Sequence, residues 1–133
     1  MSIYGKWSYR SLLNNPDHAV EFNMLRFGMG TLDLIEAAPE DAGGNIGGTI
    51  GGPGWSLNLS GSYDVDFLTR FTFQGRGVLG GEEWVYDYAG ILVPDWPRGV
   101  DQVPALVGSV IRTEQHGTAP AGLVASWYAV RQP

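Results

Sequence analysis

Ile3-Tyr4-Gly5-Lys6-Trp7-Ser8-Tyr9-Arg10-Ser11 is the stretch that decides how this chain folds. It reads as a strand and sets a Gly-x-Trp triplet at its start. The last strand-like run, residues 123–132, carries Arg131 near its end. If the sheet closes on itself, first and last strands become neighbours and the guanidinium can lie on the indole face. On this reading Trp7 and Arg131 are the structural closure of a small barrel.

The bulk numbers fit that picture. A chain of 133 residues suits one domain with a real core, taken as residues 1–133. Twenty glycines and 12% aromatics favour short strands and tight turns over helices. Eight Lys+Arg against 14 Asp+Glu leave a net charge of −6 and no basic cluster, so a nucleic-acid partner is not expected. Cysteine is absent, which excludes disulfides, thiolate catalysis and zinc–thiolate sites and points to a reducing cytoplasm. No basic and apolar leader opens the chain and no apolar run reaches membrane length, so a soluble protein without a membrane partner is expected.

Eight strand-like runs bounded by turn residues follow one another: 3–13, 30–37, 43–52, 55–63, 67–77, 83–93, 105–115 and 123–132. The expected fold is all-β, an eight-stranded antiparallel up-and-down barrel. A two-sheet sandwich is the competing architecture. Residues 17–27 suit one or two helical turns, with Asp17 as N-cap, and form a short lid or plug after the first strand. Alternation sorts the strand faces. Trp55, Leu57 and Leu59 look one way; Trp84, Tyr86 and Tyr88 oppose Val85 and Asp87; Leu106 and Val110 share a face with Arg112. The glycine-rich run over 43–52 either coils sharply or leaves room for a ligand.

These features resemble the calycin superfamily, the lipocalin-like and avidin-like barrels. Its members open with a Gly-x-Trp strand, here Gly5-Lys6-Trp7, and carry an Arg at the end of the last strand, here Arg131. Asp95-Trp96 partly echoes a lipocalin loop signature. The resemblance implies that Trp7 and Arg131 pack at the closed end and that the opposite end admits a small ligand. Tyr9 and Leu13 stand where avidin-type chains place an Asn-like group and a Ser, so biotin is not implied.

With Trp7 at the base, topology assigns 14–30, 51–54, 78–82 and 116–122 to the mouth, together with His18, His116 and Glu82. The lumen-facing candidates for ligand binding are Tyr9, Trp84, Tyr86, Tyr88, Arg112 and Trp127, because Tyr and Trp combine apolar walls with a polar tip. An inward Arg112 requires either a carboxylate (Asp33, Glu36 or Asp87) or an anionic ligand. Catalytic candidates are Tyr86, Asp87, Tyr88 and His116. No metal-ligand spacing and no cofactor motif stands out, so neither a metal nor a cofactor is expected.

The expected function is to bind a small, largely apolar or aromatic molecule in the lumen. The alternatives are a small enzyme (cyclase, isomerase or hydrolase) acting on a hydrophobic substrate, and a structural protein with a filled barrel. Apolar residues on outward faces (Leu68, Val85, Ile91, Val107, Ile111, Val124, Tyr128 and Val130) lead to the expectation of a homo-oligomer.

Overall fold

The computed structural model describes residues 2–38 and 45–133. Eight strands pair in chain order: β1 (Gly5–Leu13), β2 (Arg26–Glu36), β3 (Ile46–Gly52), β4 (Trp55–Val65), β5 (Thr69–Leu79), β6 (Glu82–Leu92), β7 (Ala105–Arg112) and β8 (Val124–Arg131). Every pairing is antiparallel, and β8 returns to pair with β1. The sheet is one closed ring rather than a sandwich. Closure removes both free edges, which an open sheet of this composition would expose. Among the described residues no helix is long and apolar enough to cross a membrane.

Trp7 and Arg131 are direct cross-strand partners in the β1–β8 ladder. Partners opposite one another in an antiparallel pair point to the same face. The guanidinium carbon therefore sits 4.5 Å from the indole centroid. Trp7 is fully buried and donates its indole N–H to the Ile3 carbonyl at 2.9 Å. Arg131 Nη2 donates to the Ser2 carbonyl at 2.6 Å, tying the N-terminal segment across the base. Gly5 explains the rest of the triplet. It adopts φ 136°, and a Cβ there would sit 3.0 Å from Arg131 Nη1. The position needs a residue without a side chain for both reasons.

The inward set follows the period of two. Leu32 and Leu34, Ile46 and Ile50, Leu57 and Leu59, Phe71 and Phe73, Leu106 and Val110 are all buried. Their neighbours along each strand are more exposed, with Val85 the exception, an outward residue that is nonetheless covered. Of the outward face expected to join copies, Val107, Ile111, Val124 and Tyr128 are partly exposed.

Three expectations need correction. The helical segment over 17–27 contracts to α1 (Phe22–Leu25), and β2 begins at Arg26 rather than near residue 30. Long β1 offers ladder positions to residues 26–30, where Arg26 pairs with Leu12, Gly28 with Ser11 and Gly30 with Tyr9. Sheet pairing overrides the local helical pattern. Phe22 and Met24 are exposed, so α1 does not plug the core, and Asp17 accepts from the Ala19 N–H instead of capping α1. Phe67 lies outside β5 and is 92% exposed. The expected turn at 39–44 and the first two residues of the expected third strand fall outside the described residues.

The closure predicts a measurable penalty. Trp7→Ala should lower unfolding free energy by about 3–5 kcal/mol, and Gly5→Ala by about 1–3 kcal/mol through its positive φ and the clash with Arg131. Urea unfolding followed by circular dichroism reads both as lower midpoints at an unchanged slope.

Candidate ligand pocket

Above the base the lumen is not uniformly filled. A half-open cavity of about 290 Å³ lies at the end opposite Trp7. Position along β1 tells the story: Trp7 seals the base, Tyr9 lies at the cavity floor, and Ser11 forms part of its wall. Gly28 on β2 lines the cavity facing Ser11, where a Cβ would sit a tight 3.2 Å from the Ser11 hydroxyl. β4 contributes Trp55 and Leu57; β6 contributes Trp84, Tyr86 and Tyr88.

The floor is an aromatic cluster. Tyr88 stacks on Phe73 with centroids 4.9 Å apart, Phe73 on Phe71 at 5.7 Å, and Tyr9 leans on Trp127 at 5.6 Å. Each such pair contributes about 0.5–1.5 kcal/mol beyond simple burial. Burial pushes the phenols of Tyr9 and Tyr88 well above the ordinary tyrosine range. Both are neutral near pH 7 and act as hydrogen-bonding tips, not as bases.

Three polar side chains meet at the upper wall. β6 carries Tyr86 and β7 ends on Arg112, its cross-strand partner. The β7–β8 loop folds back through a tight turn in which His116 and Ala119 exchange both backbone hydrogen bonds. That turn brings His116 flat onto Trp84, with centroids 3.9 Å apart and planes 12° apart. Arg112 Nε donates to the Tyr86 oxygen at 3.0 Å, and Arg112 Nη1 donates to the Pro120 carbonyl at 3.2 Å. Tyr86 Oη lies 2.9 Å from His116 Nε2. The Tyr86 oxygen accepts from Arg112, and with a neutral His116 bearing its proton on Nδ1 the hydroxyl can also donate to Nε2. Burial, the Arg112 charge beside it and, in opposition, Glu82 act on the ring, and the balance lowers its pKa.

Of the six residues expected to contact ligand, Tyr9, Trp84, Tyr86, Tyr88 and Arg112 line the cavity. Trp127 does not; it is buried in the aromatic cluster and donates to the Ser109 carbonyl at 2.9 Å. Among the catalytic candidates, Tyr86, Tyr88 and His116 face the cavity. Asp87 does not join them. Its carboxylate accepts from Gln74 at 2.9 Å and Thr113 at 2.8 Å on the outer face. His18 is exposed and away from the lining. Five further residues, Ser11, Phe27, Gly28, Trp55 and Leu57, line the cavity outside the expected set. Trp55 shares the face of Leu57, so its alternation already carried the signal, whereas Phe27 was concealed by the helical pattern around it. Among the described residues no group of three or more His, Asp or Glu side chains is placed to hold a metal ion.

The lowered His116 pKa has a signed consequence. Above about pH 7 the ring is neutral in folded and unfolded chains alike. As pH falls below about 6.5 the unfolded chain takes up the proton first, so stability is lost until the folded ring titrates as well. Thermal melts between about pH 7.5 and 5.5 should show wild type losing stability more steeply than His116→Gln. Parallel curves for the two proteins would show that the fold does not hold this ring neutral.

The ring of eight strands is the architecture implied by the calycin resemblance. No protein-family model, curated protein or solved structure matches the chain, so what it shares with calycins is that architecture.

Proposed function

We propose that this protein is a calycin-like carrier or receptor that binds a small, largely aromatic or apolar molecule in the mouth half of its barrel. One observation carries the reading: a cavity of about 290 Å³ walled by Tyr9, Phe27, Trp55, Leu57, Trp84 and Tyr88, set above a packed aromatic floor. Small-molecule sites are concave, mostly apolar and furnished with a few convergent polar groups, with volumes of roughly 300–1,000 Å³. This cavity lies at the small end of that range, which favours ligands of one or two rings.

Titration with the neutral fluorophore N-phenyl-1-naphthylamine tests the reading. Saturable binding should quench the emission of Trp55 and Trp84 and raise the melting temperature. Ser11→Leu, which places bulk in the cavity wall, should weaken binding at least about tenfold without abolishing folding. Absence of saturable binding by wild type to this probe and to a panel of neutral one- and two-ring compounds would overturn the proposal.

Catalysis is a second reading, favoured by the setting of the Tyr86 hydroxyl. It lies between a cationic donor, Arg112, and a neutral imidazole acceptor, His116, inside the cavity. A phenol so flanked can give a proton to a bound molecule while the guanidinium stabilises the oxyanion left behind. Bound compounds should then be converted on incubation, as followed by mass spectrometry. Tyr86→Phe should abolish conversion while binding persists; recovery of every compound unchanged would leave binding as the function.

A further inference from the structure

The cavity contains one full positive charge, and among the described residues no carboxylate balances it. Arg112 is 8% exposed, more than nine-tenths buried, and lines the cavity. Its guanidinium lies 5.3 Å from the Phe27 ring centroid and 5.7 Å from that of Tyr86. Its printed acceptors are a phenol oxygen and a backbone carbonyl, both neutral. Among the described residues, no carboxylate lies within ion-pair distance of it. The three expected counter-ions are all elsewhere. Asp87 is held by Gln74 and Thr113 on the outer face. Asp33 stands opposite Lys6 in the β1–β2 ladder, and Glu36 ends β2, both toward the base. Glu82, whose charge acts on His116, accepts from the Gly117 N–H at 2.9 Å.

A guanidinium has five N–H donors in a rigid planar fork. Here Nε and Nη1 are engaged, and among the described residues Nη2 has no protein acceptor. Burying a charge without an opposite charge is costly, and a bound anion offsets that cost. We infer that the ligand is an organic monoacid whose carboxylate docks on the free side of Arg112 while its rings occupy the aromatic cavity. A single cation matches a single negative charge, and the planar fork matches a planar carboxylate. The net charge of −6 works against acids at long range. The global field repels acids, so an acid held here is held by this local pairing and not by general attraction. Tyr86 and His116 hold the guanidinium in place, with Tyr86 accepting from Nε and bonded in turn to His116 Nε2 at 2.9 Å.

This inference rests on the ligand-binding reading above, and matched acid–amide pairs separate the two. The probes are 2-naphthoate against 2-naphthamide and 4-phenylbutyrate against 4-phenylbutyramide, each titrated at pH 7.5 by tryptophan quenching and calorimetry. Wild type should bind the acid of at least one pair about tenfold or more tightly than its amide. Arg112→Gln should abolish that advantage while leaving amide affinity within about threefold, and Arg112→Lys, with its charge but no fork, should restore part of it. Equal affinity for acid and amide in wild type, or an acid preference that survives in Arg112→Gln, overturns the inference and leaves the apolar pocket standing. Failure of every acid and every amide to bind removes both. The wild-type comparison decides the matter even if Arg112→Gln does not fold.

Discussion

Everything in this barrel depends on the contact between Trp7 and Arg131. Their pairing in the β1–β8 ladder brings the two ends of the strand series together, and stacking of guanidinium on indole fills the space at the point of closure. The contact also needs Gly5, because any Cβ at that position would intrude on the guanidinium. Three residues far apart in chemical character are thus one device. It seals one end of the ring.

Sealing the base makes the two halves of the lumen unequal. Below, aliphatic side chains from alternate positions of most strands meet and pack, as an eight-stranded ring is just wide enough to allow. Midway, five aromatic rings tile a floor. Above, Gly28 and Ser11 supply little volume, and Tyr86, Arg112 and His116 spend their reach on one another instead of filling the centre. The cavity is what remains when side chains on one half of a ring are small or mutually bonded. Its location follows from packing, and so does its polarity.

The polar trio forms one hydrogen-bonded chain. Arg112 donates to Tyr86, the Tyr86 hydroxyl is bonded to His116 Nε2, and the imidazole is stacked on Trp84. Each member orients the next, and the low dielectric around them strengthens the chain. What the trio does not contain is an acid. Charge balance at this wall is therefore left to solvent or to a guest, and the proposed recognition of an organic acid grows from that imbalance.

Much of this was legible in the residues themselves. All-β character, the number of strands, most inward faces and the closing pair follow from alternation, turn residues and the Gly5-x-Trp7 and Arg131 positions, because a period of two and a glycine turn are local properties. The mouth and base were assignable once the strands were taken as a meander, and five lumen residues with them. Tertiary structure alone decided where β2 begins, since the ladder offered by β1 competes with helical turns that are equally good locally. It also decided that Phe27 faces the cavity, that Trp127 belongs to the floor, that Asp87 turns outward to Gln74 and Thr113, and that among the described residues no acid lies within ion-pair distance of Arg112. Those outcomes depend on register and on how one loop folds over the mouth, and such contacts join residues that no local pattern links.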